Sequence, residues 1–240
     1  MTNPWVQDGV AAVITLAVAL VWLRIVDVLA ARGILEQRLS RKVIHIGTGP
    51  LFVACWLLFT PSPAARFLAA LVPLLITAQF VLVGTGMIQD PAAVAAMTRH
   101  GDRREILRGP LFYGVVFVVC TLVFWRNSPV GILALMLMCG GDGLADVIGR
   151  RYGISTLPFN LAKTWGGSAA MLLGGFVFAL VFVALFQGVG MFDTGLPGSA
   201  LAARLGIVAL LCTLVEALPL RDIDNLTVTA AAVGLGLILL

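Results

Sequence analysis

Long apolar runs recur along this chain with so few charges inside them that a bilayer, not water, must be the solvent for most of it. They fall near 9–30, 43–60, 64–84, 111–126, 129–148, 168–190, 200–219 and 226–240. A hydrocarbon core about 30 Å thick takes about 20 apolar residues of helix, and within it every backbone N–H and C=O needs a partner in its own segment. The runs predict an all-α, polytopic transmembrane helical bundle of seven or eight helices. The last run is shorter than a standard span and leaves the count open. Only 12% of the 240 residues are charged, against about 25% in soluble domains. There is no room for a separate soluble domain, so residues 1–240 are expected to form one integral-membrane domain. The first run is too long for a signal-peptide core and lacks a basic flank, which makes it a retained helix. Cys55, Cys120, Cys139 and Cys212 lie in or beside apolar runs without paired spacing, so no disulfide framework or cysteine metal site is readable.

The loops after the first, third, fifth and seventh runs carry Arg32, Arg38, Arg41, Lys42; Arg99, Arg103, Arg104, Arg108; Arg150, Arg151, Lys163; and Arg221, twelve of the 16 basic residues. The alternate loops carry Arg66, Arg126 and Arg204, and Arg24 lies within the first run. The positive-inside rule puts the arginine-rich loops in the cytoplasm and the N-terminus outside. This asymmetry explains the net charge of +4 without a nucleic-acid partner. The expected setting is a prokaryotic plasma membrane, with any site facing the cytoplasm.

Five polar clusters fall on that side. In "LSRKVIHIGTG", Arg41 and His45 are four residues apart and share a helix face. Arg41 and Lys42 read as snorkelling anchors or as phosphate contacts, whereas a titratable His45 inside an apolar run calls for a partner or a function. "GDRREILRGPLFYG" is a solvated basic loop, or one whose arginines, Arg108 among them, meet phosphate. "GGDGLADVIGRR" sets Asp142 and Asp146 one turn apart, with Arg150 a further turn on. Gly140, Gly141 and Gly143 would admit a ligand to the backbone or break the helix. Two such carboxylates suit Mg²⁺ completed by phosphates; the structural alternative is an Asp146–Arg150 pair. "AKTWGGS" offers Lys163 and the start of a helix to a phosphate, or else a lysine anchor and a Ser168 cap. It lacks the glycine spacing of a P-loop. In "VEALPLRDIDNLTV", Glu216 needs a partner, and Asp224 with Asn225 also reads as a plain turn. Carboxylates, cations and glycines converging on one face suit phosphoryl transfer, which is mostly positioning and charge neutralisation.

Five motifs in register, "SRKVIHIGTG", "RGPLFYG", "GGDGLADVIGRRYG", "KTWGGS" and "EALPLRDIDNLTV", resemble the phytol, farnesol and dolichol kinase group, membrane enzymes related to phosphatidate cytidylyltransferases. The resemblance runs from about residue 39 to 228 and implies transfer of the γ-phosphoryl of CTP to an isoprenoid lipid alcohol, with Mg²⁺. It carries Arg41, Lys42 and His45 onto the family's basic–histidine motif, and Asp142, Asp146, Gly149 and Arg150 onto its acidic–glycine motif. Lys163, Gly167 and Ser168 match its lysine–serine motif, and Asp224 and Asn225 its terminal one. On this reading Asp142, Asp146, Lys163 and His45 are catalytic, and Asp142, Asp146 and Asp224 hold the metal. Arg41, Lys42, Arg108, Gly141, Gly149, Arg150, Gly167, Ser168 and Asn225 bind the nucleotide. A CTP-dependent diacylglycerol kinase or a phosphatidate-type cytidylyltransferase is the near alternative. CDP-alcohol phosphotransferases share Asp142-Gly143-Leu144-Ala145, but their pattern needs arginine where Asp146 stands. An ion-coupled transporter would place polar groups near the bilayer midplane on several helices. Oligomeric state is not readable.

Overall fold

The computed structural model describes residues 3–220 and 223–240; Arg221, counted above among the basic loop residues, lies outside them. The chain is nearly all-α, and among the described residues six helices are long and apolar enough to cross a membrane: Pro4–Ala31, Ala65–Thr85, Arg103–Val123, Pro129–Tyr152, Trp165–Gly188 and Gly198–Glu216. It divides into two compact units, Met1–Leu122 and Val123–Leu240, each a helical bundle.

The first unit contains α1 (Pro4–Ala31), α2 (Gln37–Cys55), α3 (Ala65–Thr85), the short α4 (Pro91–Met97) and α5 (Gly109–Val123). Helix α2 starts six residues before the apolar run it was read from. Its first turns hold Arg38, Arg41 and Lys42, which keeps its hydropathy below that of the six apolar helices. Helix α1 packs on α2 and α3. Its start is tied down by Asp8, a buried carboxylate that accepts from the Thr60 N–H at 2.7 Å and the Thr60 hydroxyl at 2.9 Å. The 103–107 turn is likewise ordered. Asp102 accepts from the Arg104 N–H, Glu105 from the Arg99 and His100 N–H groups, and the Arg103 guanidinium lies against Gly86, the left-handed residue closing α3. A cation there opposes the negative end of the helix dipole.

The second unit is built around one helix. Pro129–Tyr152 is buried over 78% of its most apolar stretch, against 28% and 33% for Trp165–Gly188 and Gly198–Glu216. Its segments are α6 (Pro129–Met136), a π-helical stretch Leu137–Asp142, and α7 (Gly143–Tyr152). The glycines therefore do not break it; the extra residue of the π-turn is absorbed within a continuous helix. Around it stand α8 (Trp165–Gly188), α9 (Gly198–Glu216) and α10 (Asp224–Leu239). A hairpin not expected from the sequence, β1 (Thr156–Leu157) and β2 (Asn160–Thr164), turns at Pro158-Phe159. Arg204, near the start of α9, donates to the Leu239 carbonyl at 2.6 Å, so α10 runs back along α9 to its far end. The other two arginines of the alternate loops also have local partners, Arg66 over the Phe67 ring and Arg126 over Trp125.

Candidate active site

The second unit brings residues from four separate elements around one lysine. Asn160 donates to the Ala217 carbonyl at 3.0 Å, which fastens β2 to the end of α9. Three residues further along β2, the Lys163 ammonium donates to the Glu216 carboxylate, the last residue of α9. Glu216 is almost completely enclosed, with a side chain 2% exposed, and Lys163 is partly so at 27%. Asp142, closing the π-helical stretch, and Asp224, opening α10, lie near enough for their charge to act on the same ammonium. Burial pulls the Lys163 pKa down, but Glu216, Asp142 and Asp224 together outweigh it and hold the ammonium above the ordinary lysine value. Lys163 therefore carries its proton throughout the neutral range.

Asp142 and Asp146, read from the sequence as one pair, sit in different surroundings. Asp142 is buried. Asp146 accepts from the Arg150 Nε at 2.7 Å, with side chains 25% and 54% exposed. This is the structural alternative for Asp146. Asn225 is buried beside Asp224 at the start of α10. Among the described residues, no three of His, Cys, Asp or Glu come together closely enough to hold a metal ion by themselves.

Gly141, Gly149 and Gly167 lie on a seam between the central helix and α8. A Cβ on Gly141 would stand 2.7 Å from the Met171 sulfur, one on Gly149 3.2 Å from the Gly167 Cα, and one on Gly167 2.9 Å from the Ala145 carbonyl oxygen. The room these glycines leave is filled by the facing helix, as in small-residue contacts between membrane helices. Thr164, not Ser168, caps α8: its side chain accepts from the Gly167 N–H at 3.0 Å. The Ser168 hydroxyl is buried with no hydrogen-bond partner among the described residues.

The first unit places Arg41, Lys42 and His45 on the early turns of α2, all half-buried. Tyr113 of α5, not singled out from the sequence, donates its hydroxyl to the His45 carbonyl at 2.8 Å and packs its ring 4.4 Å from the imidazole. Arg108 is exposed where the 103–107 turn meets α5.

No family model and no solved structure matches the chain. Curated relatives do. A wheat (Triticum aestivum) protein named "Probable phytol kinase, chloroplastic" is 43% identical over 94% of this chain and 75% of its own length. A maize (Zea mays) protein of the same name is 42% identical over 94% and 74%. "Phytol kinase 1, chloroplastic" of Arabidopsis thaliana is 35% identical over 97% and 76%. These relatives define the class, phosphotransferases that act on an alcohol. Within that class, the chain belongs to the phytol kinase family. The relatives are named as chloroplast proteins, which overturns the expected prokaryotic plasma membrane and cytoplasm-facing site. Loop charge reports which side of a bilayer a loop prefers, not which bilayer it is.

Proposed function

We propose that this protein transfers the γ-phosphoryl group of CTP to an isoprenoid alcohol dissolved in the bilayer. The observation that carries this reading is the extent of the match to proteins named phytol kinase, which covers nearly the whole chain. The lysine–carboxylate cluster supports it. Phosphoryl transfer asks a protein mainly for positioned charge, and Lys163 holds a permanent ammonium in a half-enclosed place. In this mechanism Lys163 meets the phosphates, with Arg150 as a second cation through the guanidinium nitrogens that Asp146 leaves.

The donor set also fits Mg²⁺. That ion keeps most of its shell on water and phosphates and takes only one or two carboxylates from protein, so a dedicated cage is not required. Asp142 and Asp224 would hold it, and it would neutralise charge between the phosphates. Asp146, paired with Arg150, falls out of this set. The alcohol's proton passes to a carboxylate of the cluster.

The test is a transfer assay with each of four γ-labelled nucleoside triphosphates against phytol, farnesol, geranylgeraniol, dolichol and diacylglycerol. Label from CTP is expected in the isoprenoid alcohols. Label in diacylglycerol alone, or preference for another nucleotide, would overturn the reading.

A further inference from the structure

The segment that joins the central helix to α8 is exposed without being polar. From Tyr152 to Trp165 it holds one charged residue, Lys163, and that ammonium is taken up by Glu216. The connection before α5 is the contrast: Arg99, Asp102, Arg103, Arg104 and Arg108 all stand exposed there, as suits a loop in water. In the hairpin segment it is the apolar side chains that stand out. Ile154 is fully exposed, Leu161 76% and Phe159 60%, and Tyr152 and Trp165 flank them more than half exposed, while Leu157 is buried. So many large apolar groups on one hairpin mark a surface that something covers. A two-stranded ribbon with open edges is also marginal in water on its own.

The level of the hairpin says what covers it. Helix α8 has 24 residues, about 36 Å of helix against a hydrocarbon core of about 30 Å, so its first turn stands at the headgroup boundary. Trp165 is the first residue of that turn. It heads a row of exposed residues four apart, Ala169, Leu173, Val177, Val181 and Leu185, which is a lipid-facing side of the span. The hairpin is held at the same level at two points. The Trp165 N–H donates to the Ser155 carbonyl at 3.2 Å, and Asn160 donates to the Ala217 carbonyl, just past the end of α9. Its composition fits that layer. Aromatic rings and long apolar side chains suit the acyl boundary, and Arg151, with its guanidinium 5.9 Å from the Tyr152 ring, suits the lipid phosphates.

We propose that the β1–β2 hairpin is an interfacial anchor: Ile154, Phe159 and Leu161 enter the boundary between headgroups and acyl chains of the protein's own bilayer, flanked by Tyr152 and Trp165. Lys163 lies two residues beyond Leu161 on the same strand. The anchor therefore fixes the depth of the lysine at the level where the hydroxyl of a lipid alcohol lies. That consequence rests on the lipid-alcohol kinase reading; the anchoring does not.

The experiment uses the whole protein in phosphatidylcholine nanodiscs. Nitroxides are attached to Phe159→Cys, to Leu161→Cys and, as the water-exposed reference, to His100→Cys; the native cysteines are buried. Oxygen concentrates in lipid and a nickel chelate in water. The ratio of oxygen to chelate accessibility at positions 159 and 161 should be at least threefold above that at position 100. Equal ratios would leave the hairpin in water and overturn the proposal. Phe159→Asp with Leu161→Asp should then raise the KM for a twenty-carbon isoprenoid alcohol at least fivefold. Turnover of a water-soluble five-carbon alcohol and the KM for the nucleotide should stay within twofold, and Phe159→Trp with Leu161→Trp should keep the native values. Phe159→Ser with Leu161→Ser serves if the doubly charged variant lowers the melting temperature. An unchanged lipid KM in a well-folded polar variant would remove the depth-setting role. Failure of the kinase reading looks different: the native protein would phosphorylate no alcohol, while the nitroxides at 159 and 161 would still report lipid.

Discussion

The two units partner their buried carboxylates differently. In the first, the buried carboxylate of Asp8 is met by the neutral Thr60 N–H and hydroxyl, and Thr15, Thr48 and Thr77 each donate to a carbonyl of their own helix. In the second, Lys163 and Glu216 meet under cover, with two aspartates in range, and the unit also holds the close glycine contacts between its central helix and α8. The difference shows what a buried charge requires. Desolvating an ion costs several kcal/mol, and only excellent geometry recovers it. The glycine seam and the tied hairpin supply that geometry.

Breaking the charged network should have the largest effect. Lys163→Met leaves Glu216 buried beside two further carboxylates and should destabilise the second unit by about 3–5 kcal/mol, read as a fall in melting temperature in detergent. The double change Lys163→Met with Glu216→Gln should recover most of the stability and none of the phosphoryl transfer. Recovery of activity as well would reduce the lysine to a structural part.

A smaller effect separates the two kinds of packing. Gly167→Ala drives a methyl against the Ala145 carbonyl, which is backbone, whereas the nearest atoms to the same change at Gly47 belong to the Trp22 side chain, which has its own torsions to turn. The expected cost is about 1–3 kcal/mol for Gly167→Ala and clearly less for Gly47→Ala, measured by thermal unfolding of each variant. Equal losses would mean that the seam is no more rigid than the α1–α2 contact.

Smallest of all is Asp146→Asn. A partly exposed i, i+4 pair contributes less than about 1 kcal/mol, so both melting temperature and turnover should stay close to those of the native protein. A loss of turnover beyond tenfold would return Asp146 to the metal-binding set.

Much of this was legible in the sequence because a bilayer makes simple demands. Apolar length predicted the helices, within several residues at their ends. Glu216 was marked as a buried carboxylate in need of a partner, and the structure supplies Lys163. What could not be read were features set by register and by distance in the chain. Asp142 closes the π-helical stretch under cover, whereas Asp146 stands one helical turn further out beside Arg150, a difference in depth that their spacing does not show. Pairing Lys163 with Glu216 spans 53 residues and depends on a short hairpin whose only trace is the Pro158-Phe159 turn. Glycines that suggested a phosphate cradle turned out to face a helix, because sequence shows where a side chain is missing but not what fills the space.

If a nucleotide meets Lys163 as proposed, the strand that carries this lysine lowers the cost of binding it. A free lysine side chain loses up to about 2 kcal/mol of rotamer freedom when it is held in one place, and a site that gathers its lysine on demand must overcome that loss at every turnover. Here β2 is tied to α9 through Asn160, Trp165, the residue after the strand, donates its N–H to the Ser155 carbonyl, and Glu216 already holds the ammonium. The ordering is complete when the chain has folded. An ammonium has three N–H donors, so under the proposed mechanism a phosphate would meet Lys163 on a donor that Glu216 leaves, and the buried carboxylate would keep its partner.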